Sequence, residues 1–191
     1  MERKCIVQHI GTIEIKNGLI VSDPCYGIND EPYTAVNLNA KDFNAGIYDC
    51  YVGWVMTSHD NARVAFMTIA LDGQKFSISD DLIGMVPVDS GTMMIGDFKE
   101  WLKNHNNESA NDDWYKENIV KNAYTSEIVF DSGKSFLSSS GYGDGEYPVF
   151  AEKCKGSSKI SGVMVRFIYA SEYEILDFID SEDEPDFESY E

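Results

Sequence analysis

Residues 46–71 read GIYDCYVGWVMTSHDNARVAFMTIAL. In the first part, Tyr48, Cys50, Val52, Trp54 and Met56 recur at every second position, the spacing that puts alternate side chains on one face of a strand. The second part, RVAFMTIAL (63–71), is apolar at nearly every position, as expected of a strand covered on both faces. SHDNA between them has turn chemistry. Together they predict a long β-hairpin. Shifted by 99 residues, the stretch lies without a gap over GEYPVFAEKCKGSSKISGVMVRFIYA (145–170), matching Gly46 to Gly145, Tyr48 to Tyr147, Val64 to Val163 and Ile69 to Ile168. Any two hairpins share a strand, turn, strand order, so the elements upstream add the weight. These are NGLIVSDPCY (17–26) and SGTMMIGDFKEW (90–101): a small residue and Gly, a short apolar strand, a small residue, then Asp23 or Asp97. The expectation is a mainly β, β-rich α+β chain in which two repeats, about 17–71 and 90–170, pack their apolar faces sheet on sheet as a sandwich or barrel-like core.

Further strands are expected over Cys5 to Ile15 with a break at Gly11, Leu19 to Ser22, Thr92 to Gly96, Pro148 to Lys153 and Val163 to Ala170. Helical pattern is confined to the middle. DFKEWLKN (97–104) places Asp97 at an N-cap with Glu100 three residues on, and NDDWYKENIVKNAYT (111–125) opens on Asn and two Asp. The serines around 135–140 read as a polar turn.

Composition bounds the rest. At 191 residues and 43% hydrophobic content the chain can bury a substantial core. The formal charge of −18 is unevenly spread, because residues 172–191 hold ten of the 33 acids and none of the 15 bases, leaving −8 on residues 1–171. The expectation is therefore one β-rich domain over 1–171 and an acidic tail over 172–191, with Phe178, Ile179 and Phe187 as apolar residues that could dock part of that tail. Direct nucleic-acid binding is disfavoured, since such affinity comes largely from cations that displace counterions; an acidic nucleic-acid mimic is the variant that the charge permits. Residues 1–15 lack the unbroken apolar run of a signal peptide, and no stretch approaches the ~20 apolar residues of a membrane span, so a cytoplasmic location is expected. Four scattered cysteines, Cys5, Cys25, Cys50 and Cys154, are expected to be free thiols.

The AGIYDCYV strand, the following RVAFMTI strand, VPVDSGTMMIGD (86–97) and GYGDGEYPVF (141–150) together resemble an uncharacterised family of bacterial and phage proteins, domain of unknown function 4241; SDPCY (22–26) is similar to a phrase in related small phage proteins. The resemblance spans roughly residues 17–170 and implies a β-rich domain of bacterial or phage origin with no established activity. The chain departs from that pattern at DFKEW, where a DPCY-like or Asp-ending phrase is common, and in its acidic tail.

The candidate site residues lie at strand ends. In SGYGDGEYPVF (140–150), Asp144-Gly145 is a turn signal leading into a strand, while three alternating glycines also suit a binding loop. The loop lacks the ligand set of an EF-hand and the GK[ST] ending of a phosphate loop. Asp23, Asp89, Asp97 and Asp144 could meet at the seam of the repeats and hold a divalent cation or act as acid and base; equally, Asp23 could cap a turn and Asp97 a helix. Cys25 invites a nucleophile reading with His9 or His59 as base, against which no family signature surrounds it. His9, His59 and His105 lack zinc spacing. The expected ligand-binding set is Asp23, Cys25, Tyr26, Asp89, Asp97, Tyr142, Asp144 and Tyr147, with no cofactor; a divalent cation on Asp23, Asp97 and Asp144 is the alternative. The expected function is a non-catalytic accessory protein that binds a small molecule or a protein, with a metal-dependent hydrolase and an acidic mimic as competing classes.

Overall fold

A computed structural model of the chain describes residues 3–27, 35–58, 61–74, 81–105, 108–121, 128–131 and 133–180. The tip of the SHDNA turn with His59, and Tyr33 and residues 181–191, including Phe187, lie outside the described residues. The chain is mainly β. Among the described residues, twelve strands run in the order β1 (Arg3–Ile15), β2 (Leu19–Ser22), β3 (Ala35–Leu38), β4 (Gly46–Ser58), β5 (Asn61–Leu71), β6 (Leu82–Val88), β7 (Thr92–Asp97), β8 (Ile128–Asp131), β9 (Ser135–Ser139), β10 (Gly145–Lys153), β11 (Ile160–Arg166) and β12 (Tyr173–Ile179), with helices α1 (Phe98–Asn104) and α2 (Glu108–Tyr115) between β7 and β8. Seven strands form a curled sheet, β12-β1-β4-β5-β11-β10-β6, and five form a second sheet packed on it, β3-β2-β7-β9-β8.

Both orders are nearly palindromic. β5 pairs antiparallel with β11 at the middle of the large sheet, and β2 pairs antiparallel with β7 in the small one. Outward from these pairs, β4 and β1 on one side match β10 and β6 on the other, and β3 matches β9. The two halves therefore include β1 and β6, which the sequence comparison left out, and each half contributes strands to both sheets. They sit side by side about the β5·β11 and β2·β7 pairs, so the apolar faces that meet belong to sheets which both halves share. Local detail repeats as well. β4 and β10 start at Gly46 and Gly145, β5 and β11 at Asn61 and Ile160, each pair 99 residues apart. The hydroxyls of Tyr48 and Tyr147 each donate to the carbonyl four residues earlier, Asn44 O and Gly143 O.

The core follows from strand alternation. Tyr48, Cys50 and Val52 of β4, with Val64, Met67 and Ile69 of β5, point between the sheets and meet Val21, Met93, Ile95 and Phe136 of the small sheet. Ala65 and Phe66 point the other way, onto Cys5, Val7, Met164, Ile168 and Tyr173. β5 is thus covered on both faces, as its unbroken apolar run predicts. β1 carries an irregularity between His9 and Gly11 where the break is expected. The helices cover the outer face of the small sheet, burying Trp101, Trp114 and Ile119 on Ile20, Met94 and Leu137.

Three expectations are corrected. Ser135 to Ser139 form a buried strand, β9, paired with both β7 and β8, instead of a polar turn. The Ser138 hydroxyl has two acceptors within reach for its one proton, the Ser139 carbonyl at 3.0 Å and Met67 Sδ at 3.6 Å. The second helix begins at Glu108 instead of Asn111 and passes into a π-helical turn at Lys116–Val120. The acidic tail is shorter than its composition suggests, because Tyr173–Ile179 is a strand paired in parallel with β1.

Cys5 and Cys50 are buried, and burial pushes the Cys5 thiol up to about 12 and the Cys50 thiol well above its ordinary value. Cys25 and Cys154 are half-buried. Thiolate is the reacting form, so a chromogenic disulfide reagent at pH 8 is expected to titrate two thiols in the native protein and four after denaturation. Four fast thiols in the native state would contradict the buried positions of Cys5 and Cys50.

Candidate functional site

Four segments converge at one end of the sandwich: the turn after β2 (23–27), the β6–β7 turn (89–91), the β9–β10 loop (140–144) and the face of α2. Asp23 is their hub. It is fully buried, and its Oδ2 accepts the backbone N–H groups of Asp89 and Ser90, both at 2.8 Å. Its Oδ1 accepts Cys25 N–H at 2.8 Å and the Ser90 hydroxyl at 2.7 Å. A carboxylate so placed turns the chain at Pro24 and fixes the β6–β7 turn of the other half to that bend.

Asp97 does the same at the opposite end. Its Oδ2 accepts the N–H groups of Lys16 at 2.8 Å and Asn17 at 2.9 Å, and its Oδ1 those of Lys99 at 3.0 Å and Glu100 at 3.3 Å, capping α1. Burial alone would raise the Asp97 carboxyl, but the four N–H groups outweigh it and hold the group below the ordinary carboxylate value. Gly18 and Gly91, each following the two donated N–H groups, both have positive φ, 108° and 67°. The aspartates form a reciprocal latch: each closes its own strand and binds the backbone that precedes the other. The expected equivalence of Asp23 and Asp97 is thus present in the fold, and their meeting in one cleft is not, because Leu19 pairs with Asp97 at one end of β2·β7 while Asp23 follows Ser22 at the other.

At the Asp23 end the structure gathers most of the remaining candidates. Tyr26 donates to Asp89 Oδ2 at 2.7 Å. Burial, then the bond to Asp89, holds its phenol above the ordinary value, so it remains a donor at physiological pH. Tyr115 of α2 reaches Ser90, and burial also raises its phenol. The Cys25 carbonyl accepts from Asn111 Nδ2 at 2.8 Å. The glycine-rich loop lies alongside: Ser140 N–H donates to Gly91 O at 3.0 Å, and Ser140 Oγ and Tyr147 both donate to Gly143 O, at 2.7 and 2.8 Å. Gly141 is required here, since its φ is 66° and a Cβ would come within 2.8 Å of Val64 O and 2.9 Å of Phe167 Cβ. SGYGDGEYPVF is thus a turn entering β10 at Gly145. The turn leaves Tyr142 57% exposed, steadied by Arg3 Nη1 at 3.1 Å, with Asp144 exposed beside it.

Sequence reasoning missed Ser90, Asn111 and Tyr115, and weighed His105 only as a zinc ligand, for which it lacks the spacing. His105 is buried, stacked on Trp101 and tilted against Trp114, with Nδ1 2.8 Å from Trp101 O and Nε2 3.3 Å from Pro24 O. It ties the helical layer to the turn that carries Cys25. The only signal for this in the sequence is its position one residue past α1. Cys25 and His9 are not brought together: His9 lies on β1 with its Nε2 3.2 Å from Asp49 Oδ1. Among the described residues there is no group of three or more His, Cys, Asp or Glu side chains that could hold a metal ion, and no helix long and apolar enough to cross a membrane.

No family model, curated protein or solved structure matches the chain.

Proposed function

We propose that the protein is a non-catalytic accessory protein, of the bacterial or phage kind that the 17–170 resemblance implies, and that it binds a small molecule or a protein at the Asp23 end of the sandwich. The observation that supports this reading is the state of the carboxylates. A hydrolase built on Asp23, Asp89, Asp97 and Asp144 needs their oxygens turned toward a cation or a water. Instead Asp23 is bound by four donors of the chain itself and Asp97 by five, and the two stand at opposite ends of β2·β7. What the same end offers outward is Tyr26 on Asp89 and the exposed pair Tyr142 and Asp144. An aromatic ring held beside a carboxylate is suited to recognition, combining contact area with a directional polar group.

The test is a photo-crosslinking residue at Tyr142, compared with the same residue at Ile47, which is 49% exposed at the opposite end. Capture of one discrete partner from an extract of the native organism at position 142 and not at 47 is expected; equal capture at both positions, or none at 142, overturns the placement. The hydrolase reading makes a different forecast, of strong thermal stabilisation by micromolar Mg, Mn or Ca ions that is lost in Asp144→Asn. For the acidic-mimic reading, the deletion must begin at residue 181, because one starting at 177 would cut into β12. Binding of a nucleic-acid-binding partner that disappears on removing residues 181–191 would favour the mimic.

A further inference from the structure

A second concavity lies on the large sheet, away from the Asp23 end. β12 pairs with β1 only as far as Ile179 opposite Gln8, whereas the pairing of β1 with β4 continues to Ile15. The edge strand therefore stops one residue short of His9. Beyond it, no described strand pairs with β1 on that side, and a cleft of about 340 Å³ is lined by His9, Asp49, Tyr51, Phe178, Ile179 and Asp180. The bend of β1 between His9 and Gly11 falls at the same point, and His9 and Tyr51 are cross-strand partners with ring centroids 5.1 Å apart.

We infer that this cleft binds an organic cation, a guanidinium group on an alkyl chain. Its walls combine two carboxylates, Asp49 and Asp180, with two aromatic rings, Tyr51 and Phe178. That pairing suits a large, weakly hydrated cation, which gains both from carboxylates and from ring faces. A bare divalent ion would instead ask for a shell of oxygen ligands, which aromatic and aliphatic walls do not supply. Phe178, 56% exposed, lines the cleft at its accessible rim. The net charge of −18 draws cations toward the whole surface and raises their local concentration at the cleft. His9 Nε2 lies 3.2 Å from Oδ1 of Asp49 and steadies that carboxylate in the cleft wall. The site is independent of the binding role proposed for the Asp23 end.

Titration calorimetry of the full chain with agmatine and with a tri-arginine peptide, at 150 mM salt, tests the inference. Saturable binding is expected, weakened at least tenfold in Asp49→Asn and in Phe178→Ala. The second variant guards against misfolding, since the ring it removes is largely in solvent. A chain ending at residue 180 is expected to bind as the full chain does. Tighter binding of the peptide would mean that the cation is presented on a polypeptide, and equal binding that a free alkylguanidine suffices; both support the site. Non-saturable uptake, indifference to both substitutions, or loss of binding with residues 181–191 would overturn it, the last by assigning the effect to the acidic tail.

Discussion

Asp23→Ala is expected to lower the melting temperature by about 10–15 °C at pH 7, a loss on the order of 3–5 kcal/mol for a chain of this length. The size follows from what is left behind. Three backbone N–H groups and the Ser90 hydroxyl lose their acceptor at a fully buried position, where each unpaired donor costs about 1–3 kcal/mol before relaxation. Asp97→Ala is expected to cost a similar amount, but with a different signature. It removes the N-cap of α1, whose Trp101 is packed with Trp114 over the small sheet, so tryptophan emission should shift to the red in this variant and much less in Asp23→Ala.

The Asp97 latch also has a pH dependence with a defined sign. The carboxyl lies below its ordinary value in the folded chain. Its contribution is therefore fully present above the unfolded carboxylate value, near pH 4, and is lost as pH falls through the lower folded value. The difference in melting temperature between the natural chain and Asp97→Asn should be constant from pH 5 to 7 and shrink below about pH 4. A difference that grows on acidification would contradict the assignment.

Gly53→Ala is the second large effect. A Cβ at this position would lie 2.2, 2.5 and 2.6 Å from three ring atoms of Phe66, the cross-strand partner, whose side chain has no exposed surface. The ring lies across the bare glycine and cannot swing out without vacating the cluster around Cys5, Val55 and Ile168. Overpacking of this kind costs about 1–3 kcal/mol, and a clash this close belongs at the upper end. The cost should fall sharply in a Phe66→Leu background, where the smaller side chain leaves room for the methyl group. Additive effects of the two substitutions in chemical denaturation would show that the ring is not the obstacle.

The legible parts of the fold were those in which one physical signal dominates. Alternation in β4, the unbroken apolar run of β5 and the Asp97 cap of α1 are local patterns, and each element formed where its pattern lies. β9 was hidden because its register with β7 sets Ser135 opposite Gly96; a small polar side chain buried against a bare glycine leaves no apolar period to read. β12 was legible only as apolar residues, Phe178 and Ile179, that could dock a run of acids; the parallel pairing that holds its backbone to the edge of β1 is long-range and has no local mark.

The site shows the same division. The repeat indicated that Asp23 and Asp97 are equivalent, and the fold honours that. What one-dimensional reasoning could not supply was the direction of the β2·β7 pair, which sends equivalent residues to opposite ends of the sandwich. Asp23, Cys25, Tyr26 and Asp89 did come together, beside the loop of Tyr142, Asp144 and Tyr147, because the turns of strands that leave the sheets at one end must share that end. Ser90, Asn111 and Tyr115 carry no pattern of their own and become visible only once α2 is laid against the turn after β2.

Residue-resolved amide hydrogen exchange tests the reciprocal latch most directly. The account predicts slow exchange at Lys16, Asn17, Asp89 and Ser90 in the natural chain, with Asp23→Asn speeding exchange chiefly at Asp89 and Ser90 and Asp97→Asn chiefly at Lys16 and Asn17. Exchange at unstructured-chain rates for these four amides in the natural protein, or protection that neither substitution changes, would contradict it.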